Sequence, residues 1–302
     1  MSEIAVGSQV ETRFITETSF GVLPIDPVMK LLPVTSNTLK LSRSTIVDET
    51  LRGDRMGGDV RMGMYKVDGE LVFNYRHTEF DELLANMLMG AWSDNVLKAG
   101  STVSSQTVET GYTDISQYVH YLGLRGSTMN ISVQPDDKIP ATMTFMGIEQ
   151  SSMTSTTVAD STSSYTKEPF DSFSGSITEG GSTIAIVTGI ELTLTNNLAE
   201  SLVIFSDKRA GFVSGNLNVE GTLTAQFLNA TLFNKFKNET ESSLSFTFND
   251  PDSNTHTWSI PKIIYTDADI TVPDAGELAM SLPFHAQYDS VTGTKIQITR
   301  SV

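Results

Sequence analysis

Apolar side chains recur at every second position over much of this chain. Leu71, Phe73 and Tyr75 are separated by Val72 and Asn74, Met129, Ile131 and Val133 by Asn130 and Ser132, and Ala141, Met143 and Phe145 by Thr142 and Thr144. Ile190, Leu192 and Leu194 alternate with Glu191 and Thr193, and Leu244, Phe246 and Phe248 with Ser245 and Thr247. Successive strand side chains point to opposite faces, so this period of two predicts mostly antiparallel strands with one packed and one polar face. Leu71, Phe73, Tyr75, Leu223, Ala225 and Phe227 are assigned to the packed side, and Glu70, Asn74, Thr222, Thr224 and Gln226 to the polar one.

One segment departs from that period. Phe80, Leu83, Leu84, Met87 and Leu88 fall at i, i+3, i+4, i+7 and i+8, which predicts a helix over Glu79–Met89 packed on a sheet, with Thr78 as N-cap and Gly90 as the stop. Two stretches read as irregular. Ser151–Tyr165 contains ten Ser or Thr among fifteen residues and reads as a linker, having little to bury. Val47–Gly63 interleaves Arg52, Arg55 and Arg61 with Asp48, Glu49, Asp54 and Asp59 around four glycines, and reads equally as a solvated loop or as an interaction arm, the candidate inter-subunit residues being Arg52, Asp54, Arg55, Asp59 and Arg61.

The chain also repeats itself. Val67-Asp68-Gly69-Glu70-Leu71 matches Val219-Glu220-Gly221-Thr222-Leu223 at an offset of 152, which also pairs Tyr75 with Phe227 and Phe80 with Leu232. Leu39 and Leu41 match Ile190 and Leu192 at 151, and Ala141, Met143 and Phe145 match Leu278, Met280 and Leu282 at 137. Order preserved over three matches predicts a duplication. The expected organisation is an N-terminal arm (1–34), a first β copy (35–150), a linker (151–175) and a second copy (176–302), each a sandwich- or barrel-like unit with a short helix.

Composition narrows the chemistry. Twenty Lys and Arg against 36 Asp and Glu leave a net charge of −16 over 302 residues, which disfavours a surface built to grip DNA or RNA phosphates. The absence of cysteine removes disulfides, thiolate nucleophiles and cysteine metal sites. Met1–Thr12 has no basic region followed by an apolar run, and no stretch of 18 apolar residues occurs, so neither an export signal nor a membrane partner is expected. His77, His120, His256 and His285 show no metal spacing, and no phosphate loop or nucleophile elbow is present. Asp250-Pro251-Asp252-Ser253-Asn254 opens like a calcium loop, but Thr255 and Pro261 stand where Gly and Glu are needed. Asp267 and Asp269, with Glu277, could pair carboxylates for glycan cleavage, but alternate strand residues share one face and no partner is identifiable. The expectation is a non-enzymatic protein with no catalytic, metal or cofactor-binding residues and no cofactor.

These segments together resemble the tail tube (major tail) proteins of long-tailed bacteriophages with non-contractile tails. The resemblance runs through Glu17-Thr18-Ser19-Phe20-Gly21, Val67-Asp68-Gly69-Glu70-Leu71, Phe80-Asp81-Glu82-Leu83-Leu84, Leu194-Thr195-Asn196-Asn197-Leu198, Ile260-Pro261-Lys262 and Ala286-Gln287-Tyr288-Asp289. It implies a structural virion protein whose sheets close into rings that stack into a conduit for genome ejection. The implied partners are further copies of itself, the tape measure, tail terminator and tail tip proteins, and DNA in transit without specific binding. The implied locations are the virion tail and, during assembly, the host cytoplasm. Six tube domains commonly make a ring in that family, so two copies per chain imply a trimer. Glu70, Asn74, Thr222, Thr224 and Gln226 are then the candidate lumen-facing residues. A β-rich capsid or receptor-binding module of a virion is the alternative reading of the same composition.

Overall fold

The computed structural model describes residues 4–51, 53–56, 58–272 and 276–301. The chain is mainly β. Its first part runs through β1 (Val10–Thr16), β2 (Val28–Leu32), β3 (Val34–Asn37), β4 (Lys40–Val47), β5 (Val60–Asn74), helix α1 (Asp81–Leu88), β6 (Trp92–Ser93), β7 (Val96–Lys98), β8 (Gln106–Tyr112), β9 (Gln117–Val133), β10 (Pro140–Gly147) and β11 (Glu149–Gln150). β12 (Ser161–Ser163) leads into β13 (Gly175–Glu179), β14 (Ser182–Thr183), β15 (Val187–Thr195), β16 (Ala199–Ser201), β17 (Gly211–Val213), β18 (Asn218–Gln226), helix α2 (Thr231–Lys237), β19 (Ser242–Asn249), β20 (Thr255–Tyr265), β21 (Asp269–Thr271), β22 (Ala279–Ala286) and β23 (Gln297–Arg300).

One antiparallel layer crosses the whole molecule. It runs from β3 and β4 through β5, β10, the C-terminal part of β9, β15, β18 and β22 to β21 and the end of β20. A second layer packs on it, with β2, β1, β8 and the N-terminal part of β9 in one half, and β14, β13, β19 and β20 in the other. The core lies between the layers. Leu71, Phe73, Tyr75, Leu223 and Ala225 are buried there as the alternation predicts, and Phe227 packs against the same core partly exposed. The ring of Phe80, just ahead of α1, stacks on Phe73 with centroids 3.9 Å apart, which anchors the helix to β5.

The two halves run through their pairings in the same order. β1 pairs β2 and β8 as β13 pairs β14 and β19, and β5 lies between β3/β4 and β10 as β18 lies between β15 and β22. Register corrects two of the sequence matches. Leu71 faces Asn37 and Met143, whereas Leu223 faces Ile190 and Leu282. Asn37 therefore answers to Ile190 and Met143 to Leu282, offsets of 153 and 139 rather than 151 and 137. A two-residue slip leaves every side chain on its own face, so alternation cannot detect it. The repeated glycine has a steric reason. A Cβ on Gly69 would stand 2.6 Å from Leu39 Cα, and one on Gly221 would stand 2.2 Å from the Glu191 carbonyl oxygen.

Four further expectations are revised. α1 begins at Asp81, not Glu79, because Thr78 adopts a left-handed φ of 59° and the Glu79 carboxylate accepts hydrogen bonds from the Thr166 and Lys167 amides instead of capping the helix. Much of the N-terminal segment is built in, with β1 pairing β8 along its whole length and Phe14 buried. The Ser/Thr-rich segment is laid along the first half: β12 pairs β2 in parallel, and Thr157 Oγ1 donates to Glu109 at 2.6 Å. The irregular part of Val47–Gly63 shrinks to about 48–59, since β4 and β5 run paired out to Val47 and Val60.

Candidate functional site

The outward face of the continuous layer is largely polar. Glu70 stands opposite Thr144, Thr142 opposite Asn130, Asn130 opposite Thr193, Thr193 opposite Glu220 and Thr222 opposite Glu191. Glu70, Asn74, Thr222, Thr224 and Gln226 all lie on it, half-exposed, as alternation predicts. Outward positions of 70–74, 128–132, 140–144, 191–195, 220–226 and 279–285 carry Glu70, Glu191, Glu220 and His285 as titratable groups and no Lys or Arg. Thr193 Oγ1 donates to Asn130 Oδ1 at 2.9 Å, and His285 Nδ1 lies 3.5 Å from Glu220 Oε2. Over these ranges the face repels phosphate, while Lys40 and Lys66 stand on the same face at its β4–β5 margin, Lys66 paired with Glu200.

Where β9 meets β15 the two halves share a seam six residues long, with Val133 opposite Ile190, Ile131 opposite Leu192 and Met129 opposite Leu194. Beyond this seam the connection that follows β15 is clamped to the first half. The connection 196–217, which carries β16 and β17, folds back so that Arg209, almost fully buried, donates to both Asp68 oxygens, to Glu200 and to the carbonyls of Val67 and Gly147. Lys66 Nζ donates to Glu200 at 2.7 Å and Lys208 pairs with Glu149. Burial opposes the Glu200 charge, but the hydrogen bonds from Lys66 and Arg209 outweigh it and hold this carboxyl below its usual range. Arg209 and the apolar run Leu202-Val203-Ile204-Phe205 beside it carry no periodicity, so sequence reading passes over them. The signal that could have found them is four consecutive apolar residues followed at once by Ser-Asp-Lys-Arg. All four side chains of that run are exposed, Phe205 completely.

In the corresponding connection of the first half, the described residues among 48–59 are mostly exposed. Asp54, Arg55, Asp59 and Arg61 are exposed, and Arg52 lies outside the described residues. Its bonds are local: Asp48 accepts from Thr50, whose hydroxyl and amide hold the carboxyl below its usual range, and Asp54 accepts from the Met56 amide.

The residues considered for chemistry are engaged elsewhere. His256 and His77 are buried side by side, ring centroids 4.8 Å apart, and Tyr75 Oη lies 2.5 Å from His256 Nδ1. Burial drives the His256 pKa down to about 3. Asp250 accepts from Asn254 in a closed turn, Asp267 accepts from the Ala268 amide, and Glu277 accepts from Gln226. Among the described residues no three His, Asp or Glu side chains come together to hold a metal ion.

The family model described as phage tail tube protein matches residues 7–286, nearly the whole chain. No curated protein matches the sequence.

Proposed function

Since the chain belongs to the phage tail tube protein family and is a structural protein of the virion tail, we propose that its halves are two copies of one tube unit and that three chains close into a ring whose bore passes DNA. The observation that carries this reading is the β9–β15 seam, because one half already joins the other edge to edge. Applying the same register to the two free ends gives the joint between chains. By their pairings, β9 answers to the end of β20 together with β21, and β15 answers to β3 and β4. Val133 opposite Ile190 becomes Val272 opposite Asn37, and Ile131 opposite Leu192 becomes Ile270 opposite Leu39. Asn130 opposite Thr193 becomes Asp269 opposite Lys40, an oppositely charged pair. Asp269 and Lys40 are both exposed in the single chain.

In such a ring the polar face with Glu70, Glu191 and Glu220 turns to the bore. The arm 48–59, with Arg55 and Arg61, reaches a neighbouring subunit or ring. Tape measure, terminator and tip proteins meet the two ends of the stack, and assembly takes place in the host cytoplasm. Native mass measurement tests the ring: the expected mass is three chains. Lys40→Asp and Asp269→Lys each weaken the ring, and the double exchange restores it. A ring of six identical chains, or a double exchange no better than either single change, overturns the reading.

A further inference from the structure

The two halves differ at one set of matched positions in a way that ring closure does not use. In the first half, Asn37 bridges the layers: its Nδ2 donates to Thr12 Oγ1 at 3.1 Å and to Thr110 Oγ1 at 2.9 Å. The register that matches Asn37 to Ile190 also matches Thr12 to Ile177 and Thr110 to Phe246. A polar bridge in one half is thus an apolar trio in the other. Beside it lies an open groove of about 240 Å³, lined by Val133, Ile177, Val187, Ile190 and Phe246 together with polar side chains such as Gln134. Val133 and Ile190 are the terminal pair of the β9–β15 seam, so the groove is continuous with the interface between the halves.

The exposed run Leu202–Phe205 stands at the opposite end of the same seam. β15 enters at Val187 beside the groove and leaves at Thr195 into the connection that carries this run. At about 3.3 Å per residue β15 spans roughly 26 Å from Val187 to Thr195, so groove and run lie toward opposite ends of the strand and do not meet within one chain. The Arg209 clamp fixes the base of the connection, which holds the run in place without covering it. An exposed apolar run on a held support and a largely apolar groove at the far end of one strand are complementary between molecules stacked head to tail.

We propose that the Leu202–Phe205 run of one ring seats in the β13/β15 groove of a second copy in the next ring, with Phe205 and Ile204 entering between Ile177 and Val187. This inference rests on the ring reading above and adds the contact that stacks the rings.

The cysteine-free chain allows a direct test. Tubes of Phe205→Cys/Val187→Cys, oxidised, are expected to give a ladder of covalently joined chains longer than three, and each single cysteine variant is not. Independently, Ile204→Ser/Phe205→Ser, altering side chains that touch little in the monomer, is expected to keep single rings by native mass while shortening tubes in electron micrographs at least tenfold. Tubes of normal length from the serine variant, or intact tubes of the double cysteine variant that give no ladder, overturn the proposal. Wild-type protein that forms no ring at all overturns the ring reading and this contact with it, and native mass distinguishes that outcome from a ring that forms but does not stack.

Discussion

The connections 48–59 and 196–217 occupy the same place in the two halves, yet the described residues of one bond only locally while the other folds back onto the first half. Both are charged, so charge content does not decide between them. The second has a long cation aimed at acceptors on the first half and on its own connection: Arg209 reaches Val67 and Asp68 on β5, Gly147 on β10 and Glu200 on β16 together. The planar guanidinium serves several acceptors at once, which justifies its desolvation. In the first half, the bonds of Asp48 and Asp54 are to residues two positions away, and these shape the loop without attaching it. A connection is pinned when the neighbouring unit is present to receive it. By the ring reading, the first-half arm has its receiving unit in another molecule.

Removing the clamp is the strongest way to break that contrast. Arg209→Met should cost about 3 kcal/mol, at the low end for a broken buried ion pair because Asp68 and Glu200 keep part of their water contact. The urea midpoint should fall with unchanged slope, and amide exchange should accelerate through 199–213 until the connection resembles 48–59. Protection of 199–213 that survives the change would show that something other than the clamp holds it.

A second difference between the halves is their response to acid. His256 is matched by register to Gln117, so one half carries at this place a buried group that titrates and the other does not. With a folded pKa of about 3 against an ordinary value of 6.5, the unfolded chain binds a proton between those values that the folded chain refuses. Stability therefore rises with pH across that window, and acidification to pH 4 should cost about 3 kcal/mol relative to neutral pH. His77 is also held low by burial, and its contribution has the same sign. His256→Asn, which keeps an acceptor for the Tyr75 hydroxyl, should flatten the pH profile of the denaturation midpoint between 4 and 7. An unchanged profile would assign the acid response to other groups.

How far the sequence discloses the molecule depends on whether a feature is periodic. The packed faces were legible because Leu71-x-Phe73-x-Tyr75 and Leu223-x-Ala225 alternate, and the polar face followed from the intervening residues. The register between the halves was not, because a slip of two positions preserves that alternation; only the cross-strand partners of Leu71 and Leu223 fix it. Val47–Gly63 stood out by its mixed charge and glycines. The clamp and the groove stayed hidden because each gathers residues far apart in the chain, as Arg209 with Asp68 or Ile177 with Phe246, and no local pattern announces them.

Replacing 48–59 by a Gly-Ser turn sharpens the comparison from the other side. Its exposed residues bond mostly to one another, so the isolated subunit should change stability by no more than about 0.5 kcal/mol. Tube formation, followed by light scattering and electron microscopy, should be lost. A folded subunit that still polymerises normally would make the arm dispensable.

The smallest effect on the fold, and the sharpest on passage, is expected from the polar face. Glu70→Lys with Thr222→Lys alters half-exposed side chains that point away from the core, one in each half, and should leave the denaturation midpoint within about 0.5 kcal/mol of the parent. If this face lines the bore, a ring of three chains gains six lysines on a wall whose outward positions over 70–74, 191–195 and 220–226 carry Glu70, Glu191 and Glu220 and no Lys or Arg. Phosphates then meet cations on every ring of the stack, and each contact is weakened by salt through counterion release. Ejection from particles with intact tails should slow at low salt and recover as salt is raised. Changing Glu70 alone should act less strongly than the pair, since it marks only one of the two halves. Equal kinetics at both salt levels, with tails of normal length, would place Glu70 and Thr222 away from the path of the DNA and turn this face of both halves to outer solvent.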